Sequence, residues 1–291
     1  MQLLGSLSLP GVDTVHELKS LDTVFTKKVF RIPDYQRGYA WQHEQLKAFW
    51  EDLLNLSDRR NHYTGVLTLR QVPRTKIRND AAECWLLDDH SYRLYDIVDG
   101  QQRLTTFVIL IQSFVEVIEG LPGNEGKSPR DTYITESLTL EHLQRTYLFE
   151  TKPKALFPTY RFGYSDDNPS HAYLRHAIFR EPNVGCLEET FYTLNLSNAK
   201  RYFTEQLRAI YEENGADGLA SEYRKLTQRF LFNEYDISDD FDVFVAFETM
   251  NNRGKKLSDL ELLKNRLIYL TTLYRDDEHR RCKSALSSSI C

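Results

Sequence analysis

Glycine and proline are sparse in this chain, at 13 and 9 of 291 residues. That scarcity excludes a loop-rich scaffold and predicts a densely packed, mainly helical protein. The four cysteines, Cys84, Cys186, Cys282 and Cys291, form no CxxC pair, so neither a zinc knuckle nor a redox dithiol is indicated. Basic charge is not in excess: 37 Lys and Arg face 42 Asp and Glu, for a net charge of -5. A protein that coats DNA non-specifically needs the opposite balance, although a local basic groove stays open. The longest apolar run, Phe107 to Ile111, is far too short to span a bilayer, so no membrane partner is expected. No basic segment followed by a long apolar run opens the chain, which reads as having no signal peptide and as cytoplasmic. There is no GxxxxGK[ST] loop and no glycine fingerprint of a dinucleotide fold. The eight histidines are scattered, and neither HExxH nor a His-Asn-His nuclease core is found.

The rest is ordinary globular material, 41% hydrophobic and 27% charged, with 17 Tyr and 16 Phe. Such a chain can bury a sizeable core. Helical periodicity runs through Leu46, Phe49, Trp50, Leu53 and Leu54 between Gln42 and Leu56, after a short lead-in helix near Thr14 to Leu21. Tyr63 to Leu69, Cys84 to Leu87 and Arg93 to Val98 read as strands, the latter two antiparallel neighbours. A long helix should follow Gly100 to about Glu119, and Gly120 to Pro129 reads as a linker. Beyond it, helices are predicted over 131–144, 168–180, 187–194, 198–213, 217–230 and 241–250. Ser258 and Glu261 fit a capping box that opens a final helix.

The segment Asp99-Gly100-Gln101-Gln102-Arg103 stands where an apolar strand turns into that long helix. The first amides of a helix have no internal partners, and its dipole places positive charge there. Such a turn is a generic anion site. Gly100 supplies turn chemistry and lets a ligand approach, Arg103 offers a planar fork of donors, Gln101 and Gln102 can donate or orient a water, and Asp99 can hold Mg²⁺ through oxygen. A plainer reading fits equally well: Asp99 caps the helix, Gly100 turns the chain and the glutamines face water.

Two further clusters carry similar chemistry. In Ile32-Pro33-Asp34-Tyr35-Gln36-Arg37, Tyr35 offers a stacking face, Gln36 an amide and Arg37 a phosphate clamp; Tyr35, Tyr39 and Trp41 also suit the core. In Asn251-Asn252-Arg253-Gly254-Lys255-Lys256-Leu257, the residues Asn251, Asn252, Arg253 and Lys255 are placed to close over a nucleotide, or only to end a helix. A merely basic stretch, with Arg59, Arg60, Arg70, Arg74, Lys76 and Arg78, suits a solvated loop or a nucleic-acid backbone contact.

The three clusters in this order resemble the N-terminal domain of GmrSD-type modification-dependent restriction endonucleases, over about residues 13 to 273. Tyr164-Ser165-Asp166-Asp167-Asn168-Pro169 is similar to that family's turn before a helix. The resemblance implies an α+β fold, a ParB/sulfiredoxin-like small mixed sheet with helices followed by a largely helical region. Residues 1–120 would be the nucleotide-binding core and 121–291 the part completing the same domain. It implies binding and hydrolysis of a nucleoside triphosphate with Mg²⁺, in a type IV-like defence against phage with modified DNA. Asp99, Gln101, Gln102 and Arg103 would be catalytic, with Asp99 on the metal. Tyr35, Gln36, Arg37, Gly100, Asn252, Arg253 and Lys255 would hold the nucleotide. Many relatives add a His-Asn-His nuclease domain; this chain stops before one would fit, so cleavage is expected from a separate subunit or a longer polypeptide. The alternatives are a non-catalytic module reading modified DNA and a regulatory partner of a nuclease.

Overall fold

The computed structural model describes residues 17–57, 59–77, 85–88, 91–152, 158–166, 168–182 and 187–237, and Leu267. In the first half lie β1 (Lys19–Ser20), α1 (Leu21–Val24), β2 (Lys28–Ile32), α2 (His43–Leu54), β3 (His62–Gln71), β4 (Arg93–Asp99) and α3 (Gln101–Glu119). The second half adds β5 (Tyr133–Thr135), β6 (Leu138–Thr139), α4 (Leu140–Leu143), β7 (Phe149–Thr151), β8 (Pro158–Tyr160), β9 (Phe162–Tyr164), α5 (Pro169–Tyr173), α6 (Phe191–Gln228) and β10 (Phe230–Ile237).

The mixed sheet with helices expected from the sequence is present. Six strands pair in the order β1-β10-β3-β4-β2-β9. Neighbours β10/β3, β4/β2 and β2/β9 run parallel, whereas β1/β10 and β3/β4 run antiparallel. Four strands come from the first 120 residues and two, β9 and β10, from beyond them. β7 with β8 and β5 with β6 form separate two-stranded ribbons.

Helix α3 is the centre of the molecule. Its sequence is apolar nearly all round, and only Gln102, Arg103, Glu116 and Glu119 of its residues escape full burial, as expected of a helix inside a core. Phe107 meets Phe49 of α2 at 5.0 Å and Phe230 and Phe232 of β10 at 5.5 and 5.3 Å between ring centroids. Leu67, Leu69 and Ile97 face this side of the sheet and are wholly buried. A smaller cluster covers the opposite face at the other end, where Val29 and Leu94 pack under Trp85, Leu86 and Leu87.

Several predicted elements change. Trp85 to Asp88 is a helical turn, not a strand; its apolar residues are a plug against the sheet. The helix expected over 131–144 is instead the β5–β6 hairpin, because Tyr133-Ile134-Thr135 has aromatic and β-branched strand formers. Thr139 then caps α4 by accepting from the His142 amide. The helix over 168–180 is α5 followed by a π-helical turn to Ile178. The predicted 187–194, 198–213 and 217–230 helices form one run, interrupted at Gly215, whose φ of 65° and ψ of -158° are not helical. The sequence reading had no strand at β10. The predicted helices at 241–250 and after Ser258 lie outside the described residues, as do Thr14 to His16 of the lead-in helix. Among the described residues no helix is long and apolar enough to cross a membrane.

Replacing Phe107 by Ala removes the ring where three elements meet and should cost about 3–5 kcal/mol. Urea denaturation followed by far-ultraviolet circular dichroism measures it; a loss of only about 0.5 kcal/mol, typical of surface sites, would show that α3 does not centre the core.

Candidate functional site

Strands β2 and β4 lie side by side and leave the sheet at the same end. Pro33 follows β2, and Gly100 follows β4 in a left-handed conformation, φ 92° and ψ 5°, which glycine adopts without a Cβ penalty. A Cβ at Gly100 would also stand 3.2 Å from the Val66 carbonyl oxygen and 3.0 Å from Leu67 Cδ1. The glycine therefore serves both the turn and the close passage over β3. When a strand departs, its neighbours keep carbonyl groups that the ladder no longer satisfies, and buried carbonyls need partners.

Side chains take over that duty. Gln36 is buried, and its Nε2 donates to the β4 carbonyls of Ile97 and, at 3.1 Å, of Val98. From the first turn of α3, Arg103 donates Nη1 to Thr64 O at 2.8 Å and Nη2 to Val66 O at 2.7 Å. These two carbonyls belong to the stretch of β3 beyond its register with β4, which starts at Thr68. The guanidinium lies across Gly65, where a Cβ would sit 1.7 Å from Nη1. Gly65 has φ +124° and marks a register shift of β3 against β10, in which Thr64 is skipped. The lone glycine inside a strand pattern was the sequence signal for this close approach, and the sequence reading passed it by.

Gln102 acts as a surrogate peptide group. Its Nε2 donates to Gly38 O at 3.0 Å, and its Oε1 accepts the Ala40 amide at 2.7 Å. Gln101 Nε2 donates to Arg37 O at 3.2 Å. Asn195 of α6 supports the same loop, donating to Tyr39 O at 3.2 Å, while the fully buried Tyr39 shares a hydrogen bond with Thr106 at 2.7 Å. Tyr39 is thus core, as its ring chemistry suggested. Tyr35 sits close to Asp96 and Arg70, and burial, reinforced by Asp96, raises its hydroxyl pKa far above the ordinary value.

The fold therefore brings Tyr35, Gln36 and Arg37 together with Asp99 to Arg103. Asn252, Arg253 and Lys255 lie outside the described residues. The glutamines do not simply face water, and Asp99 is not a side-chain cap: Gly100 occupies the cap position, with no acidic residue in the first turn. Asp99 is partly exposed, 3.6 Å from Arg103. Two amide oxygens, Gln36 Oε1 and Gln101 Oε1, are enclosed without a hydrogen-bond partner. The amide end of α3 carries no side-chain cap, and the Asp99 carboxylate beside it is partly exposed. Of the basic stretch, Arg70 is paired with Asp96 at 2.5 Å and Arg74 with Asp88, while Arg59 and Arg60 are exposed. In the family's other turn, Asn168 caps α5 by accepting from the Ser170 amide at 2.9 Å.

Among protein families, the one described as GmrSD restriction endonuclease, N-terminal domain, matches residues 19–268. No curated protein matches the chain.

Because Gln102 satisfies both a donor and an acceptor of the Gly38–Ala40 backbone, Gln102→Ala should cost about 1–3 kcal/mol of stability. Thermal and urea unfolding read this directly. A variant as stable as wild type would mean that the loop is held by other contacts.

Proposed function

The chain belongs to the GmrSD restriction endonuclease N-terminal domain family, a domain of restriction systems directed at modified DNA, and on that premise we propose that it binds and hydrolyses a nucleoside triphosphate to control DNA restriction. The observation that carries the reading is the uncapped N-terminus of α3, set behind Gly100 and beside Asp99, with the backbone of Arg37 tied to it through Gln101. A helix start attracts phosphate through its amides and dipole. α3 is fixed on all sides by the core, so its amides need no reorganisation to receive the charge.

Asp99 is the only carboxylate of this turn, and the described residues contain no cluster of three metal-ligating side chains. That donor set fits Mg²⁺ of the kind that arrives with a nucleotide, bound by one carboxylate, phosphate oxygens and water. Asp99 would hold it, and when bound it supplies charge neutralisation on the phosphates. Arg37 neutralises further phosphate charge from the loop opposite the helix. Between the two glutamines, the orienting of the attacking water falls to Gln101, because both ends of the Gln102 amide are engaged. Gln102 and Arg103 then act as positioning residues that fix the loop and β3 against the helix start. The modified DNA would be engaged elsewhere on the domain, with strand cleavage by a His-Asn-His nuclease.

A second reading is favoured by one observation. Gln102 and Arg103 donate their main hydrogen bonds to backbone carbonyls, which suits a domain that senses nucleotide, or DNA, without hydrolysing it. Calorimetry with Mg²⁺ and each of ATP, GTP, CTP and UTP, together with phosphate-release assays, separates the readings. Arg37→Ala should weaken nucleotide binding about tenfold or more, the usual worth of a charge-assisted hydrogen bond. Gln101→Ala should slow phosphate release while leaving affinity nearly intact. Binding without release in wild type would select the sensing reading; no nucleotide binding would overturn both nucleotide readings and leave DNA reading.

A further inference from the structure

A cavity of about 490 Å³ lies at the end of β2 and β4 opposite to the α3 N-terminus. Lys27 stands immediately before β2 and Tyr92 immediately before β4, and both line it. β4 is seven residues long, so about 20 Å of strand separates the cavity from Gly100. Its volume falls in the range of small-molecule sites, and nothing in the nucleotide reading uses it.

Its floor holds a cation without a counterion. Arg161 lines the cavity and is 3% exposed. The guanidinium donates to the carbonyls of Phe25, Lys28 and Arg145 and to the Tyr92 hydroxyl. These bonds use four of its five N–H groups, and among the described residues nothing takes the fifth, on Nη2. The carboxylates around the cavity are engaged elsewhere. Glu150 pairs with Arg145 at 2.6 Å and accepts from Tyr92 at 3.2 Å. Glu141 pairs with Arg130 at 2.7 Å, and Asp22 accepts the Tyr147 hydroxyl. Among the described residues none forms an ion pair with Arg161. Burial lowers the pKa of Arg161, although Tyr92 and Glu150 act the other way. A buried charge is costly without a partner, and the space beside this one is open.

The surroundings add positive charge. Tyr92 gathers two cations, with Arg161 at 4.5 Å and Lys27 at 4.9 Å from its ring centroid. Arg145 and His142 are exposed at the rim, and among the described residues the His142 ring makes no hydrogen bond. Two backbone irregularities border the cavity. Lys27 has φ 54°, uncommon for a residue with a Cβ. Gln144–Leu148, which carries Arg145, is a π-helical turn, a distortion frequent at functional sites.

We propose that this cavity binds a phosphate group, with Arg161 at its floor and Arg145 and His142 at its rim, as an anion site separate from the α3 N-terminus. Guanidinium groups meet phosphate oxygens with directed N–H donors. The cavity exceeds a single phosphate in size, so the group is carried by a larger molecule, a nucleotide or the DNA backbone.

The His142 ring is the reporter. Proton–carbon correlation spectra of histidine-labelled protein are recorded at fixed pH, and the His142 signal is the one absent from His142→Gln. The protein is titrated with sodium phosphate, with ATP and MgCl₂, with a DNA duplex lacking terminal phosphates, and with sodium chloride at matched ionic strength. Sodium phosphate should shift the His142 signal to saturation, and sodium chloride should not. A lower midpoint for ATP or for the duplex supports the site and identifies the carrier. Thr26→Trp, which obstructs the cavity while keeping its charges, and Arg145→Gln should each raise the phosphate midpoint at least tenfold. Arg37→Ala, at the far end of the strands, should leave it unchanged. Arg161→Met should abolish the shift, and the rim variants carry the test if the unpaired carbonyls unfold it. A His142 signal unmoved by phosphate, ATP and duplex, or moved as far by sodium chloride, overturns the assignment. So do rim variants that titrate like wild type, or an Arg37→Ala loss as large as theirs.

Discussion

The site exists because two adjacent strands leave a sheet together. A β-ladder satisfies carbonyls only as long as both strands continue, and buried carbonyls cannot be left to themselves. At the end of β2 and β4 the chain solves this with side chains, Gln36 on β4 and Arg103 on β3. Gln102 does the same for the loop between β2 and α2. These bonds fix the start of the most buried helix against the sheet edge. The uncapped amides of α3 and the Asp99 carboxylate beside them are held in place by that frame.

This division of labour separates residues that a motif presents as equals. In Asp99 to Arg103, the Gly100 backbone, the Gln102 amide and the Arg103 guanidinium have structural partners, and the geometry accounts for each. Asp99 is partly exposed, and the enclosed Gln101 Oε1 has no hydrogen-bond partner. An arginine held by two carbonyls keeps its charge, so Arg103 still contributes positive potential to the turn even where its hydrogen bonds are taken. Asp99, 3.6 Å away, answers part of that charge. The local field therefore depends on what binds beside Asp99.

The parts of the fold that were legible in the sequence are those set by local periodicity. The apolar stripe of α2, the alternation of β3 and the strand–turn–helix from Arg93 to Glu119 all appear where the pattern puts them. What escaped was set by distant partners. β10 follows directly on a helix, and its parallel pairing with β3 joins residues that are about 170 positions apart in sequence. Trp85 to Leu87 has a strand-like run of apolar residues, yet it packs as a helical plug because the sheet face beside Val29 and Leu94 needs covering. Within 131–144 only Leu140–Leu143 is α-helical, and the start of the stretch, with Tyr133, Ile134 and Thr135, turns back as a hairpin.

By itself the sequence determined which residue types gather at the turn after β4, and the order of three motifs was enough to identify the family. Those are properties of spacing, and spacing survives without coordinates. Tertiary structure alone decided which of those side chains are occupied. Whether an amide such as Gln102 is a tool or a brace depends on the carbonyls and amides of segments some 60 residues away. It likewise joined Arg161 to the carbonyls of Phe25 and Arg145, an arrangement that unites three separate stretches of chain. The physical reason is the same in both cases: hydrogen-bond valence is a property of the packed backbone, and it is spent only when distant segments meet.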